Sequence, residues 1–211
     1  MNVPAEGAMS KSLLIKTQLL MFLAGLFFSS MMQGQAVKRD FSSMVAAGKM
    51  NGNSYQNPIL GLTLSAPNAH WEVRGPISGA SGQGRLIDAD YDSGVPERGP
   101  HENYTLGLLV ESQAIHPKGM TLDQYVRSLR RRVEDETVKI EREAFPVTGQ
   151  DVPFVGTVFL FYERSNFGYY RGLYSTILNG YFVTIEVQCG QEERLQKLLS
   201  SAVKITPKSN H

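Results

Sequence analysis

The chain has 211 residues, and its 21 Lys and Arg side chains nearly balance its 20 Asp and Glu side chains. This length predicts a single domain, and the balanced charge lacks the basic surplus by which nucleic-acid-binding proteins neutralise phosphates. Nucleic acid is therefore excluded as an expected partner. One cysteine cannot form an internal disulfide, so we expect the fold to be stabilised by packing alone.

The N-terminal segment has the three parts of a secretory signal peptide. Lys11 and Lys16 supply a basic region, the run Leu19–Phe28 is apolar, and Gly34 and Ala36 form a small-x-small cleavage site. The apolar run is shorter than the roughly 20 residues that span a bilayer. We therefore expect cleavage after Ala36, export to the periplasm or the medium, and no transmembrane anchor after cleavage.

The rest of the chain divides by composition. Both Met1 and Met9 are compatible with the signal peptide as translation starts, because Glu6 is unusual in a basic region. The segment after the cleavage site is small, polar and weakly patterned, which predicts a flexible lead-in. We expect a signal peptide, a flexible lead-in, one α+β domain and a polar tail at residues 1–36, 37–54, 55–205 and 206–211.

Four strands are predicted before the first helix. In the first strand Leu60, Leu62 and Leu64 alternate with small or polar residues, which is the period of a strand with one buried face. The others are predicted to follow near Trp71, Arg85 and Tyr104. Loops rich in Gly and Pro separate these strands.

The first helix is predicted to begin at Thr121. Thr121 and Gln124 have the spacing of a capping box, in which each side chain bonds to the other residue's backbone. Apolar residues then recur at helical spacing, at Leu122, Val126, Leu129 and Val133. The run Arg130–Arg132 and the acids after it are interpreted as a solvated helix surface.

Four further strands and a closing helix are predicted after this helix. The last two strands are joined by Asn179 and Gly180, the strongest short signal for a hairpin turn. The closing helix, residues 191–203, has an apolar stripe of Leu195, Leu198, Leu199, Ala202 and Val203. Short connections in this order predict an α+β fold, with a single antiparallel sheet of about 6–8 strands and two main helices packed on it. The predicted core residues of that sheet are Leu62, Val110, Leu160 and Ile185.

Both ends of the predicted domain carry patterns found in a group of exported bacterial domains. Tyr55 and the pair Asn57-Pro58 lead into the strand LGLTLSAP and then Trp71, and the chain closes with GYFVTIEV and the helix QEERLQKLLSSAVKI. In these features the segment Tyr55–Ile205 resembles the PsbP-like superfamily. The resemblance implies the fold of that superfamily and a habit of binding other proteins. It implies no reaction, and no ligand-binding residue of the superfamily is matched to a position here.

Asp88, Asp90 and Asp92 alternate along one predicted strand and are the sharpest candidates for a metal site. A calcium loop that began at Asp88 would need Gly at its sixth position and Glu at its twelfth, where the chain has Ser93 and Gly99. Alternate residues on a strand also lie about 6.5–7 Å apart, so the carboxylates converge only where the strand turns. We interpret the row as a solvated strand face and predict no metal and no cofactor.

No catalytic residue is predicted. The histidines lack the short spacing of metal ligands and are scattered, at His70, His101, His116 and His211. Cys189 shares a strand face with apolar residues, which predicts a buried core thiol. The chain has no G-x-S-x-G turn, and its Gly-rich segment lacks the Lys and Ser or Thr of a phosphate-binding loop.

Aromatic residues are concentrated between Phe154 and Phe182. Most are expected to fill a central strand that is covered on both faces. The loop SNFGYY is the exception, because Phe167, Tyr169 and Tyr170 are predicted to reach the surface there and to bind a partner.

Two functions are compatible with the sequence. The favoured one is an exported, non-catalytic module that binds a partner protein or a cell-envelope component. The alternative is a secreted hydrolase with a site assembled from scattered residues. A cleft that brings His101 or His116 within hydrogen-bond reach of a carboxylate and a serine would favour the hydrolase, whereas exposed Phe167 and Tyr169 would favour the binding module.

Overall fold

The computed structural model describes residues 40–66, 71–75, 82–91, 104–133, 138–147, 152–162 and 168–205. Within these segments, no helix is long and apolar enough to cross a membrane. The expected signal peptide and polar tail lie outside them.

The described segments contain eleven strands and three α-helices. The strands are β1 (Lys49–Asn51), β2 (Ser54–Asn57), β3 (Leu62–Ser65), β4 (Trp71–Arg74), β5 (Gln83–Tyr91), β6 (Thr105–Ser112), β7 (Val138–Val147), β8 (Phe154–Tyr162), β9 (Gly168–Leu178), β10 (Tyr181–Cys189) and β11 (Val203–Ile205). The helices are α1 (residues 40–47), α2 (Leu122–Val133) and α3 (Glu192–Ala202), with a 3-10 turn at Gln113–Ile115.

A seven-stranded antiparallel sheet forms the body of the protein, in the order β4-β5-β6-β10-β9-β8-β7. The β9–β10 hairpin turns at Asn179 and Gly180, whose φ angles are 48° and 85°. Positive φ at both central residues is what a two-residue turn of this kind requires. The hairpin predicted from the Asn-Gly pair is therefore confirmed.

The prediction of a single sheet is wrong, because a second sheet of four strands lies in the order β1-β2-β3-β11. Leu62 of β3 pairs with Ile205 of the C-terminal strand β11. Alternation predicts a buried side for Leu62 but does not specify the strand that pairs with it. Val110 and Ile185 are fully buried in the seven-stranded sheet as predicted, whereas Leu160 is only partly buried there.

The structure differs from the lead-in expected over residues 37–54. Residues 40–47 form α1, and Phe41 and Met44 of this helix are buried in the main core. Their spacing of three places both side chains on one helix face. Asn57 links α1 to the small sheet, because its Nδ2 donates to the carbonyl oxygen of Met44 at 2.9 Å.

Different elements cover the two faces of the seven-stranded sheet. α2 packs on β7, β8 and β9 and encloses a cluster of buried residues, Tyr125, Val126, Leu129, Phe159, Leu173 and Phe182. On the opposite face, α1, α3 and the small sheet enclose the larger cluster, to which α3 contributes Leu195, Leu199 and Ala202. The two predicted helices, α2 and α3, therefore pack on opposite faces of the sheet. Their predicted apolar stripes are buried except for Leu122, Val133 and Leu198, which are partly exposed.

Candidate functional site

The end of the β8–β9 hairpin carries four aromatic side chains, which we call the aromatic hairpin end: Phe161, Tyr162, Tyr169 and Tyr170. The strand register places Phe161 opposite Tyr169 and Tyr162 opposite Gly168. Phe167, the first residue of the predicted partner-binding set, lies outside the described residues. Tyr169 and Tyr170, the other two predicted residues, lie in β9 rather than in a loop, and both are partly buried. The hairpin brings them beside two aromatic residues of β8.

The rings of Phe161 and Tyr169 are held in a fixed arrangement. They stack with centroids 4.9 Å apart and planes 6° from parallel. The guanidinium carbon of Arg171 lies 4.7 Å from the Phe161 centroid, within the range of a cation–π interaction. Contacts that order a side chain in the free protein reduce the entropy lost when a partner binds.

Tyr169 and Tyr170 lie on opposite faces of the sheet, as neighbours on a strand do. Tyr169 stacks with Phe161 on the α2 side, whereas Tyr170 pairs with Cys189 in the register and packs against the larger cluster on the α3 side. Burial raises the pKa of Tyr170, and nearby acidic side chains add to the rise. The two tyrosines therefore do not share one flat patch.

Tyr162 was not identified from the sequence, yet 55% of it is exposed, the largest fraction for a large hydrophobic residue within the described segments. Gly168 is directly opposite Tyr162 and has no side chain to cover the ring. The sequence signal is a glycine across from an aromatic residue, and it can be recognised only after the register of the hairpin is known.

The two described aspartates of the candidate metal row are paired with arginines. Arg85 donates from Nη1 to Asp88 Oδ1 at 2.7 Å, and Arg74 contacts Asp90. Asp92 lies outside the described residues. Within the described part of the chain, no group of three or more His, Cys, Asp or Glu residues could hold a metal ion.

His116 lies next to a carboxylate beneath α2. Its Nε2 is 3.0 Å from Glu111 Oε2, although the angles are not those of a hydrogen bond. The same carboxylate accepts a hydrogen bond from Arg132 Nη1 at 2.7 Å. The His116 ring is nearly perpendicular to the rings of Tyr125 and Phe182, with centroids 5.5 and 5.2 Å away.

The hydrolase function requires a histidine near both a carboxylate and a serine, and His116 and Glu111 meet only the first part of this condition. Ser112 is adjacent to Glu111 in the chain, but its hydroxyl oxygen accepts a hydrogen bond from the backbone N–H of Ala114 at 3.3 Å. No contact between His116 and a serine hydroxyl is found within the described segments. The other three histidines, His70, His101 and His211, lie outside those segments.

Cys189 is a buried thiol, as predicted. Its Sγ donates to the carbonyl oxygen of Gln191 at 2.9 Å. Burial raises the pKa of the thiol and outweighs the hydrogen bond to Gln191, which lowers it. A high pKa disfavours the thiolate, which is the reactive form.

No protein-family model and no curated protein sequence matches the chain. Solved structures of other proteins are similar to it in fold. Cyanobacterial PsbP (CyanoP) from Synechocystis sp. PCC 6803 is similar with a TM-score of 0.49 and 15% identity, over 76% of this chain and 99% of that chain. LpqN, described as involved in cell envelope biogenesis of Mycobacterium tuberculosis, has a TM-score of 0.44 and 10% identity, over 69% and 83%. A protein from Bacteroides thetaiotaomicron has a TM-score of 0.40 and 10% identity, over 75% and 50%. The first of these is named as a PsbP protein, but likenesses this distant assign no function.

Proposed function

We propose that the chain is an exported, non-catalytic module that binds a partner protein or a cell-envelope component through the aromatic hairpin end. Export is inferred from the signal-peptide pattern of residues 1–36. The observation that carries the binding proposal is Tyr162, which is 55% exposed on the face of the hairpin opposite the stacked pair of Phe161 and Tyr169.

Tyrosine is well suited to such a contact. Its ring offers a large apolar area, its hydroxyl forms hydrogen bonds, and it loses little conformational freedom on binding. Aromatic residues are accordingly enriched at protein interfaces. Tyr162 on one face of the hairpin and Tyr169 on the other would let a partner enclose the hairpin end from both sides.

The hydrolase alternative rests on the short distance between His116 and Glu111. A nucleophilic mechanism needs a base in contact with a nucleophile and oriented by a third group. Here the imidazole Nε2 faces a carboxylate that already accepts a hydrogen bond from Arg132. The arrangement places a histidine beside a carboxylate, but among the described residues no nucleophile contacts that histidine, so the condition for a hydrolase is met only in part.

Export is tested by sequencing the N-terminus of protein recovered from the periplasm or the medium. We expect Val37 as the first residue, because the small residues Gly34 and Ala36 directly before it form the cleavage pattern. Recovery of the full-length chain only in the membrane fraction would contradict export.

Binding is tested by cross-linking pull-downs with the double variant Phe167→Ala, Tyr169→Ala. We expect the variant to lose the partner that the unchanged protein captures. Lys197→Ala on α3 is the matched control, since Lys197 is exposed and far along the chain from the hairpin. A double variant that keeps every captured partner would contradict the aromatic hairpin end as the binding surface.

A further inference from the structure

A groove follows the outer side of α2 where the chain enters the helix. It consists of two adjoining pockets of about 470 and about 510 Å³, which share Pro117, Lys118, Gly119 and Met120 as a common wall. One pocket extends along α2 to Arg127 and Arg131, and the other extends to the 3-10 turn and Phe182. We call these two pockets together the α2 groove.

Three cations line the α2 groove, Lys118, Arg127 and Arg131, and all three are exposed. Arg127 and Arg131 are four residues apart on a helix and therefore lie on the same side. Within the described segments no ion pair is found for these three residues, whereas Arg130 and Arg132 of the same helix pair with glutamates. The acid on this helix, Asp123, does not line either pocket.

Apolar side chains are exposed near the end of the α2 groove that is formed by the 3-10 turn and Phe182. Ile115 and Ile177 are each 40% exposed, and with Tyr162 they are the exposed large hydrophobic residues of the described segments. Both lie by the tip of the β9–β10 hairpin, because Gln113 N donates to Gly180 O at 2.9 Å and thereby joins the 3-10 turn to the hairpin. Ile177 is directly opposite Phe182, which lines the groove.

We propose that the α2 groove binds the surface of a membrane that contains anionic lipids. Cations near a bilayer surface attract acidic headgroups, and exposed apolar side chains enter the boundary between headgroups and acyl chains. Stable attachment needs both signals, and this end of the protein has both. An acidic peptide would satisfy the cations but would leave Ile115 and Ile177 in water, so the lipid surface explains more of the exposed side chains.

The α2 groove is separate from the aromatic hairpin end. Ile177 and Tyr169 are eight residues apart on β9, which corresponds to about 26 Å along a strand. The membrane proposal therefore does not depend on the proposed partner contact, and the loss of one interaction would leave the other intact.

The test is co-sedimentation of the full chain with vesicles of phosphatidylcholine alone and of phosphatidylcholine with phosphatidylglycerol. We expect the phosphatidylglycerol vesicles to bind more protein. The apolar run near the N-terminus is the same in every variant, and its contribution is measured with phosphatidylcholine alone. The double variant Arg127→Gln, Arg131→Gln should bind phosphatidylglycerol vesicles about 25-fold more weakly, because each cation near an anionic surface contributes about fivefold.

Two further variants separate the contribution of the cations to vesicle binding from that of the apolar side chains. Lys197→Gln removes one exposed cation from α3, on the other face of the sheet, and should leave binding unchanged. The double variant Ile115→Ser, Ile177→Ser should bind severalfold more weakly while all cations remain. Each variant should retain the thermal midpoint of the unchanged protein, since all the substituted side chains are exposed.

Four results would overturn the proposal. The first is equal binding to vesicles with and without phosphatidylglycerol. The second is a double variant, of the arginines or of the isoleucines, that binds as tightly as the unchanged protein. The third is complete displacement from vesicles by inorganic phosphate at constant ionic strength, which would make the groove a site for free phosphate. The fourth is arginine-dependent binding of soluble polyglutamate without binding to vesicles, which would indicate an acidic peptide.

Discussion

The rings of Tyr125 and Phe182 stack face to face, with centroids 4.1 Å apart and planes 2° from parallel. Tyr125 belongs to α2 and Phe182 to β10, and both are fully buried. Aromatic pairs contribute about 0.5–1.5 kcal/mol beyond the burial of their area. This stack therefore holds α2 on the seven-stranded sheet.

Removal of either ring should destabilise the fold. We expect Tyr125→Ala or Phe182→Ala to lower the free energy of unfolding by about 3–5 kcal/mol, the usual cost of truncating a buried aromatic residue. Chemical denaturation measures the change. Tyr162→Ala is the matched control and should change stability by no more than about 0.5 kcal/mol, because its side chain is exposed. Equal losses for Tyr125→Ala and Tyr162→Ala would contradict the buried stack.

The protein should lose stability in alkaline solution. Burial raises the pKa of Tyr125 and of Tyr174 well above the ordinary value of 10.0. The unfolded chain therefore releases these two protons near pH 10 while the folded chain retains them, so the contribution of these two tyrosines to stability is constant below that pH and falls above it. The expected slope is about 1.4 kcal/mol per pH unit for each tyrosine.

Denaturation from neutral pH to above the ordinary tyrosine pKa measures this slope. Tyr125→Phe should reduce it by removing one titrating group. An unchanged slope in that variant would mean that Tyr125 ionises as readily in the folded chain as in the unfolded chain.

The ion pair of Glu111 and Arg132 joins the end of β6 to the last turn of α2. Glu111 has 6% of its side chain exposed and Arg132 has 49%. Arg132→Met should destabilise the fold by about 1–3 kcal/mol, between the values for exposed and buried pairs, because it leaves a buried carboxylate without its cation. Glu111→Gln added to that variant should restore part of the loss.

Arg74→Met is the control for this cycle. Arg74 and Asp90 are an exposed pair, and their loss should cost no more than about 1 kcal/mol. If the two arginine variants are equally stable, the Glu111–Arg132 pair has no more effect than a surface pair.

Cys189 should react slowly in the native protein. Its side chain is fully buried, and burial raises its pKa, so little accessible thiolate is present. Labelling with a thiol reagent should be slow in buffer and fast in denaturant. The thiol introduced by Lys197→Cys, at an exposed position of α3, should react fast in both conditions. Equal native rates for the two thiols would contradict a buried Cys189.

Features set by neighbours in the chain could be predicted from the sequence. In the capping box, Thr121 N donates to Gln124 Oε1 at 2.9 Å and Gln124 N donates to Thr121 Oγ1 at 3.3 Å. The turn at Asn179 and Gly180 and the buried face of Cys189 also depend on residues close by in the chain. Local chemistry decides such features, so a single sequence contains the information.

Features set by distant residues could not be predicted. β3 pairs with β11, which is near the other end of the chain, and alternation alone does not identify a partner strand. α1 was missed because the whole segment 37–54 was interpreted as small, polar and weakly patterned, although Phe41, Met44 and Val45 have the spacing of one helix face. The pairing of Glu111 with Arg132 depends on how α2 lies on the sheet and has no local signal.

Only part of the candidate site could be predicted, because the exposure of its side chains also depends on which residues lie opposite each other in the sheet. The aromatic composition near Tyr169 identified the hairpin, but the exposure of Tyr162 follows from a register that places Gly168 opposite it. The separation of Tyr169 and Tyr170 onto opposite faces follows from strand geometry once both residues are known to lie in β9.

The most direct test of partner binding is site-specific photo-cross-linking at position 162 in cells that express the protein. Tyr162→p-benzoylphenylalanine should form an adduct on irradiation, and Lys197→p-benzoylphenylalanine, at an exposed position of α3, should not form that adduct. Addition of Phe167→Ala and Tyr169→Ala to the first variant should abolish the adduct. If position 162 forms no adduct that position 197 lacks, or if the adduct persists in the triple variant, the aromatic hairpin end is not the partner-binding surface.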